Sequence, residues 1–89
     1  MDEILKTLDL SLNDFNKNSR NEYEYTLENV HEFGKFYSRL DNLESITENP
    51  DLSALTTDRS TIVFEGDNIE IRLQSDFDSN EYNLILKED

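Results

Sequence analysis

The chain has no cysteine, one histidine, one proline and two glycines, and only 8 Lys+Arg among 89 residues. Each shortage removes a class of protein. Without cysteine, neither a disulfide nor a thiolate metal site can brace a small core, and the composition fits a reducing cytoplasm. One histidine, no cysteine and no glycine-rich phosphate loop leave little that catalysis could tune near neutrality. Neither an enzyme nor a cofactor is therefore expected. His31-Glu32 lacks the second histidine of the zinc-binding helix motif and reads as a partly exposed helix position. No apolar run approaches the roughly 20 residues needed to cross a bilayer. No basic flank with an apolar stretch follows Met1, so no signal peptide is expected.

The scarcity of bases is the largest departure. Eight Lys+Arg against 21 Asp+Glu give 8 − 21 = −13. Such a chain has no basic surface with which to neutralise phosphates, so direct binding to nucleic acid is excluded as a working reading. Its own charge is that of a nucleic acid. The length suits one small domain, 1–89, and the aromatic content with clear apolar periodicity argues for folding rather than disorder.

Ile4, Leu5, Leu8, Leu12 and Phe15 recur at helical spacing behind Asp2 and Glu3, which predicts a helix over about 2–16. Ser19 and Glu22 have capping-box spacing. Tyr23, Leu27, Val30, Phe33, Tyr37, Leu40 and Leu43 keep steps of three or four. Together they predict a second helix over about 20–46, although the strand-like alternation Glu22-Tyr23-Glu24-Tyr25 allows a start as late as Thr26. Asn49-Pro50 ends it, and Pro50 opens a short turn carrying Leu52 and Leu55 with Asn49 as cap.

Beyond Arg59 the chain becomes β-branched and alternating, with strands expected over about 60–65, 68–75 and 80–87. A turn at Gly66-Asp67 pairs Phe64 with Ile69 and Ile62 with Ile71. A turn at Asp76 to Ser79 pairs Ile71 with Leu84 and Ile69 with Leu86. Both registers put Ile62, Phe64, Ile69, Ile71, Leu73, Tyr82, Leu84 and Leu86 on one face. The expected fold is α+β, two helices on one face of a three-stranded antiparallel meander in the order ααβββ.

Asp76-Phe77-Asp78-Ser79-Asn80 matches the opening of a calcium loop, but Glu81 stands where glycine is needed and Lys87 where the bidentate Glu is needed. A polar hairpin turn explains the same residues. On the second helix, Glu24, Glu28 and Glu32 would form one exposed row with carboxylates about 6 Å apart along the axis, comparable with a phosphate repeat. Asp41, Glu44, Glu48, Asp51 and Asp58 trail from the helix, and Glu65, Asp67, Asp76, Asp78 and Glu81 sit at strand ends and turns. Charge of this size exceeds what solubility requires, which points to a basic partner. Apolar anchors amid the acids would supply affinity. The candidates are Tyr23 and Tyr25 beside Glu24, Phe77 between Asp76 and Asp78, and Val63 with Ile85 flanking Glu70 on the outer sheet face.

Size, acid excess, lack of cysteine and the small α+β pattern resemble small phage-encoded DNA-mimic inhibitors, including anti-CRISPR proteins that block Cas9 and anti-restriction proteins. The resemblance is one of kind and carries over no residues. It implies an inhibitor filling the basic nucleic-acid cleft of a host defence nuclease in the cytoplasm of an infected bacterium. The contact set is Glu24, Glu28, Glu32, Tyr23, Tyr25, Asp76, Phe77, Asp78 and Glu81, with no catalytic residue and no metal. An immunity protein that neutralises a toxin nuclease, or an adaptor binding through the apolar outer-sheet patch, would suit parts of the same pattern. The identity of the partner and the oligomeric state stay open.

Overall fold

The computed structural model describes residues 1–55 and 59–88, with the side chain of Leu55 excepted. Asp58 lies outside the described residues. In chain order the elements are α1 (Asp2–Leu8), a single 3-10 turn (Leu12–Asp14), β1 (Asn16–Lys17), β2 (Tyr23–Leu27), α2 (Val30–Asp41), β3 (Thr47–Glu48), β4 (Ala54–Leu55), β5 (Arg59–Gly66), β6 (Ile69–Asp76) and β7 (Glu81–Glu88). The architecture is α+β. Its sheet is antiparallel throughout, and six of its strands run in the order β1-β2-β7-β6-β5-β3. β4 pairs β5 along the same edge as β3, making seven strands. The expected three-stranded meander and its ααβββ order are therefore wrong.

Two local signals caused the error. α1 stops at Leu8 because Asp9 turns left-handed at φ 59°. The Leu10 amide then reaches the Leu5 carbonyl and the Asp9 amide that of Lys6, a Schellman ending. Ser11 and Asp14 next cap a separate turn, the Ser11 amide donating to the Asp14 carboxylate at 2.9 Å. Leu12 is left exposed while Phe15 enters the core. The helical spacing of Leu8, Leu12 and Phe15 was coincidental.

The second error is larger. Residues 23–27 form a strand, and α2 begins only where the Asn29 side chain accepts from the Glu32 amide at 2.9 Å. Ser19 caps no helix. It lies between β1 and β2 in a turn closed by the Asn18 amide donating to the Glu22 carbonyl, with Asn21 left-handed at φ 65°. The Glu-Tyr-Glu-Tyr alternation was the stronger signal, since β2 finds its partner in β7, where Tyr23 pairs Leu86 and Leu27 pairs Tyr82.

β5, β6 and β7 form two hairpins, as the turn residues require, but each register lies two residues from the expected one. Phe64 pairs Ile71 and Ile62 pairs Leu73 around an Asp67-Asn68 turn; Ile71 pairs Leu86 and Leu73 pairs Leu84 around Phe77–Asn80. Side chains alternate with a period of two, so such a slip leaves every residue on its face. Phe64, Ile69, Ile71, Leu73, Tyr82, Leu84 and Leu86 are buried under the helices, with Ile62 half-buried beside them. Burial of each large side chain contributes about 1.5–3 kcal/mol.

Ring contacts join the layers. Phe15 meets Tyr25 at 5.6 Å between centroids, Tyr25 meets Phe36 at 6.1 Å, and Tyr37 meets Phe64 at 5.9 Å. Burial first, then its hydrogen bond to Glu48 and the charges of Glu48 and Asp41, hold the Tyr37 phenol above its ordinary pKa. Gly66 lets the β5 end pass Ile46, because a Cβ there would lie 2.8 Å from the Ile46 Cγ2 atom.

The outer edge of β5 is covered by short segments of this chain. β3 covers Phe64 and Glu65, and β4 covers Ser60 and Thr61. Between them the Asn49 amide donates to the Val63 carbonyl at 2.8 Å, and the Val63 amide donates to Ser53 Oγ at 3.0 Å. That edge is closed to strand addition. Asn49 also caps the turn that Pro50 enters, its side chain accepting from the Asp51 amide.

Candidate partner-binding surface

Glu24, Glu28 and Glu32 share no helix face. Glu24 stands in β2 on the sheet's outer face, Glu28 in the connection that follows, and Glu32 in the first turn of α2, where its carboxylate accepts from the Glu28 amide at 3.3 Å. The expected row of evenly spaced carboxylates does not exist. Tyr23 and Tyr25 point to the inner face, half-buried. Tyr23 lies under the Lys17 ammonium at 5.0 Å, and Tyr25 is sandwiched by Phe15 and Phe36. Both are packing residues with limited access.

A different grouping takes the row's place. β2 leaves the sheet at the Leu27–Tyr82 pair, so Glu28 emerges at the level of Glu81. The Tyr82 ring then touches Phe33 of α2 at 6.0 Å and Phe77 of the β6–β7 turn at 6.2 Å. This aromatic relay holds the start of α2 and the turn at one end of the sheet. Glu28, Glu32, Asp76, Asp78 and Glu81 all belong to that end. Two of the exposed large apolar residues, Val30 and Phe77, lie among them.

Burial raises the Tyr25 phenol above its ordinary pKa, and the charges of Glu32, Asp14 and Glu28 raise it further. Of the bases, Arg59 pairs with Asp76 at 3.4 Å, and Lys35 stands one turn beyond His31, which is exposed. Among the described residues, no ion pair reaches Glu28, Glu32, Asp78 or Glu81.

The turn that presents Phe77 is firmly built. Asp76 Oδ1 accepts from the Asp78 and Ser79 amides, and Asn80 is left-handed at φ 59° with its side chain held by the Tyr82 hydroxyl at 3.0 Å. These residues serve hairpin geometry. Among the described residues, no group of three or more His, Cys, Asp or Glu could hold a metal ion.

The outer sheet face treats its acids otherwise. Arg72 lies at its centre, its Nε donating to the Glu70 carboxylate at 2.8 Å and its guanidinium 4.0 Å from the buried Glu22. Asn18 Nδ2 donates to Glu22 at 3.1 Å and to Glu24 at 2.9 Å, and Asn49 donates to Glu65 at 3.0 Å. Val63 and Ile85 flank Arg72 rather than Glu70 and are buried, at 3% and 6% exposure, so these two do not form the expected exposed patch. The two-residue slip kept the face but replaced a carboxylate with a guanidinium. Beside this network, Thr61, Gln74 and Asn83 floor a shallow cleft of about 260 Å³ that runs to Asp76 and Glu81.

Sequence reasoning passed over Val30, Arg59 and Asn18. Reading Asn29 with Glu32 as the helix start would have put Val30 in the first turn. Nothing local announces that Asn18 bridges two carboxylates, because those bonds exist only once β1 and β2 pair. No helix among the described residues is long and apolar enough to cross a membrane. Comparison with protein-family models, with curated proteins and with solved structures gives no match for this chain.

Proposed function

We propose that the protein is an acidic inhibitor that enters the basic nucleic-acid-binding cleft of a host defence nuclease, such as Cas9 or a restriction enzyme. It blocks DNA binding there by mimicry, in the cytoplasm of an infected bacterial cell, and performs no catalysis itself. One observation carries the reading. At the end of the sheet Glu28, Asp78 and Glu81 are exposed and, with half-buried Glu32, take no part in ion pairs among the described residues, so four of the 21 acidic side chains gather there without a paired base. Opposed charge of this kind steers association and holds the partner's cations in place of phosphates.

Burial of Val63 and Ile85 takes those two away as contact residues for an adaptor. Charge-led binding also makes a distinct demand on salt, because screening acts at about 10 Å in 0.1 M salt. The test titrates the protein into a Cas9–guide complex, and separately into a restriction enzyme, while DNA binding is measured. Displacement of DNA that weakens as salt rises is expected. Absence of competition with both at low salt would remove the proposal. A toxin nuclease added to the same assay separates the immunity reading, which expects displacement there alone.

A further inference from the structure

We infer that Phe77 is the apolar anchor of the acidic end, and that the partner is a basic groove with an apolar recess into which this side chain inserts. The inference rests on the inhibitor reading and deepens it by naming what the target's site must contain. Hairpin tips favour small polar residues, and phenylalanine there leaves 44% of its surface in water. Val30, 55% exposed, lies at the same end across the Phe33–Tyr82–Phe77 relay. Asp76, paired with Arg59, and Asp78, exposed and without an ion pair among the described residues, flank Phe77 in the chain, and exposed Glu81 pairs with Asp76 across the hairpin, so carboxylates neighbour an apolar tip. Grooves that handle single-stranded nucleic acid have the complementary form, cations tracking the backbone and recesses lined by aromatic side chains receiving bases.

Preorganisation makes the anchor effective. The ring already rests edge-on against Tyr82, with planes inclined at 70°, and the turn beneath it is tied by Asp76, Asn80 and the Tyr82 hydroxyl. Little further ordering accompanies insertion, so burial of the remaining surface goes into affinity. The carboxylates and the ring then act on different quantities. Charge sets the rate of arrival, and the seated ring sets the rate of departure.

Stopped-flow binding to the Cas9–guide complex or restriction enzyme from which the wild type displaces DNA distinguishes these roles, with circular dichroism as the check on folding. Phe77→Ala is expected to dissociate at least about tenfold faster at an unchanged association rate, as an interface hot spot does. Phe77→Leu, which keeps an apolar side chain, recovers most of that loss. Asp78→Asn with Glu81→Gln slows association instead. A wild type that binds, with Phe77→Ala within twofold of it, would overturn the anchor and leave the inhibitor reading standing. A wild type that displaces DNA from neither target overturns both.

Discussion

The outer face of the sheet and the end carrying the β6–β7 turn are built from the same acidic residue types, yet their carboxylates meet opposite fates. On the outer face Glu22, Glu24, Glu65 and Glu70 are bound by Arg72, Asn18 and Asn49. At the end, Glu28, Asp78 and Glu81 are exposed, and among the described residues no base forms an ion pair with them. The first group closes the β1–β2 turn and β3 onto the sheet. The second contributes little to the fold and repels itself. A net charge of −13 does not tell the two apart; only the partner of each carboxylate does.

Three tests sharpen or break this contrast, taken from the largest effect on stability. Arg72→Ala removes the guanidinium beside buried Glu22 and should lower stability by about 2 kcal/mol in urea denaturation, because the carboxylate stays buried without an opposite charge. Adding Glu22→Gln should recover part of the loss. An unchanged midpoint in Arg72→Ala would make the outer-face acids as dispensable as those of the turn end.

Asn18→Ala comes next. It deletes a side chain that accepts from the Arg20 and Glu22 amides and donates to two carboxylates, and should destabilise by about 1–2 kcal/mol. Hydrogen exchange at the Arg20 and Glu22 amides should accelerate more than in the β5–β7 hairpins. At the other extreme, the triple change Glu28→Gln, Asp78→Asn, Glu81→Gln should leave stability within about 0.5 kcal/mol of the wild type. Its association with the target at low salt should nevertheless fall several-fold. A large loss of stability in that triple variant would show that the turn-end acids also serve the fold.

How far the chain could be read varies by element. β5, β6 and β7 were legible because their alternation is local, and a two-residue error in register leaves the buried face intact. The same error moved Arg72 into the place given to Glu70, so the outer surface was misread as an exposed apolar patch. The second hairpin's turn was legible to within one residue, lying at Phe77–Asn80 where Asp76 to Ser79 was expected. Val30 and the carboxylates near it were misplaced, because Tyr23–Leu27 satisfies both a helical stripe and a strand alternation. Its choice depends on β7, more than fifty residues later.

The residues alone determined the net charge, the absence of cysteine chemistry, the two hairpins and the apolar side of the last three strands. These follow from composition and from periods spanning a few neighbours. Tertiary structure decided that 23–27 becomes a strand, that Asn18 and Arg72 bind one set of carboxylates, and that Phe77 and the start of α2 lie at one end with another set. Each of those outcomes depends on which distant backbone supplies the hydrogen bonds and the opposite charge, and nothing in a short window of sequence encodes that pairing.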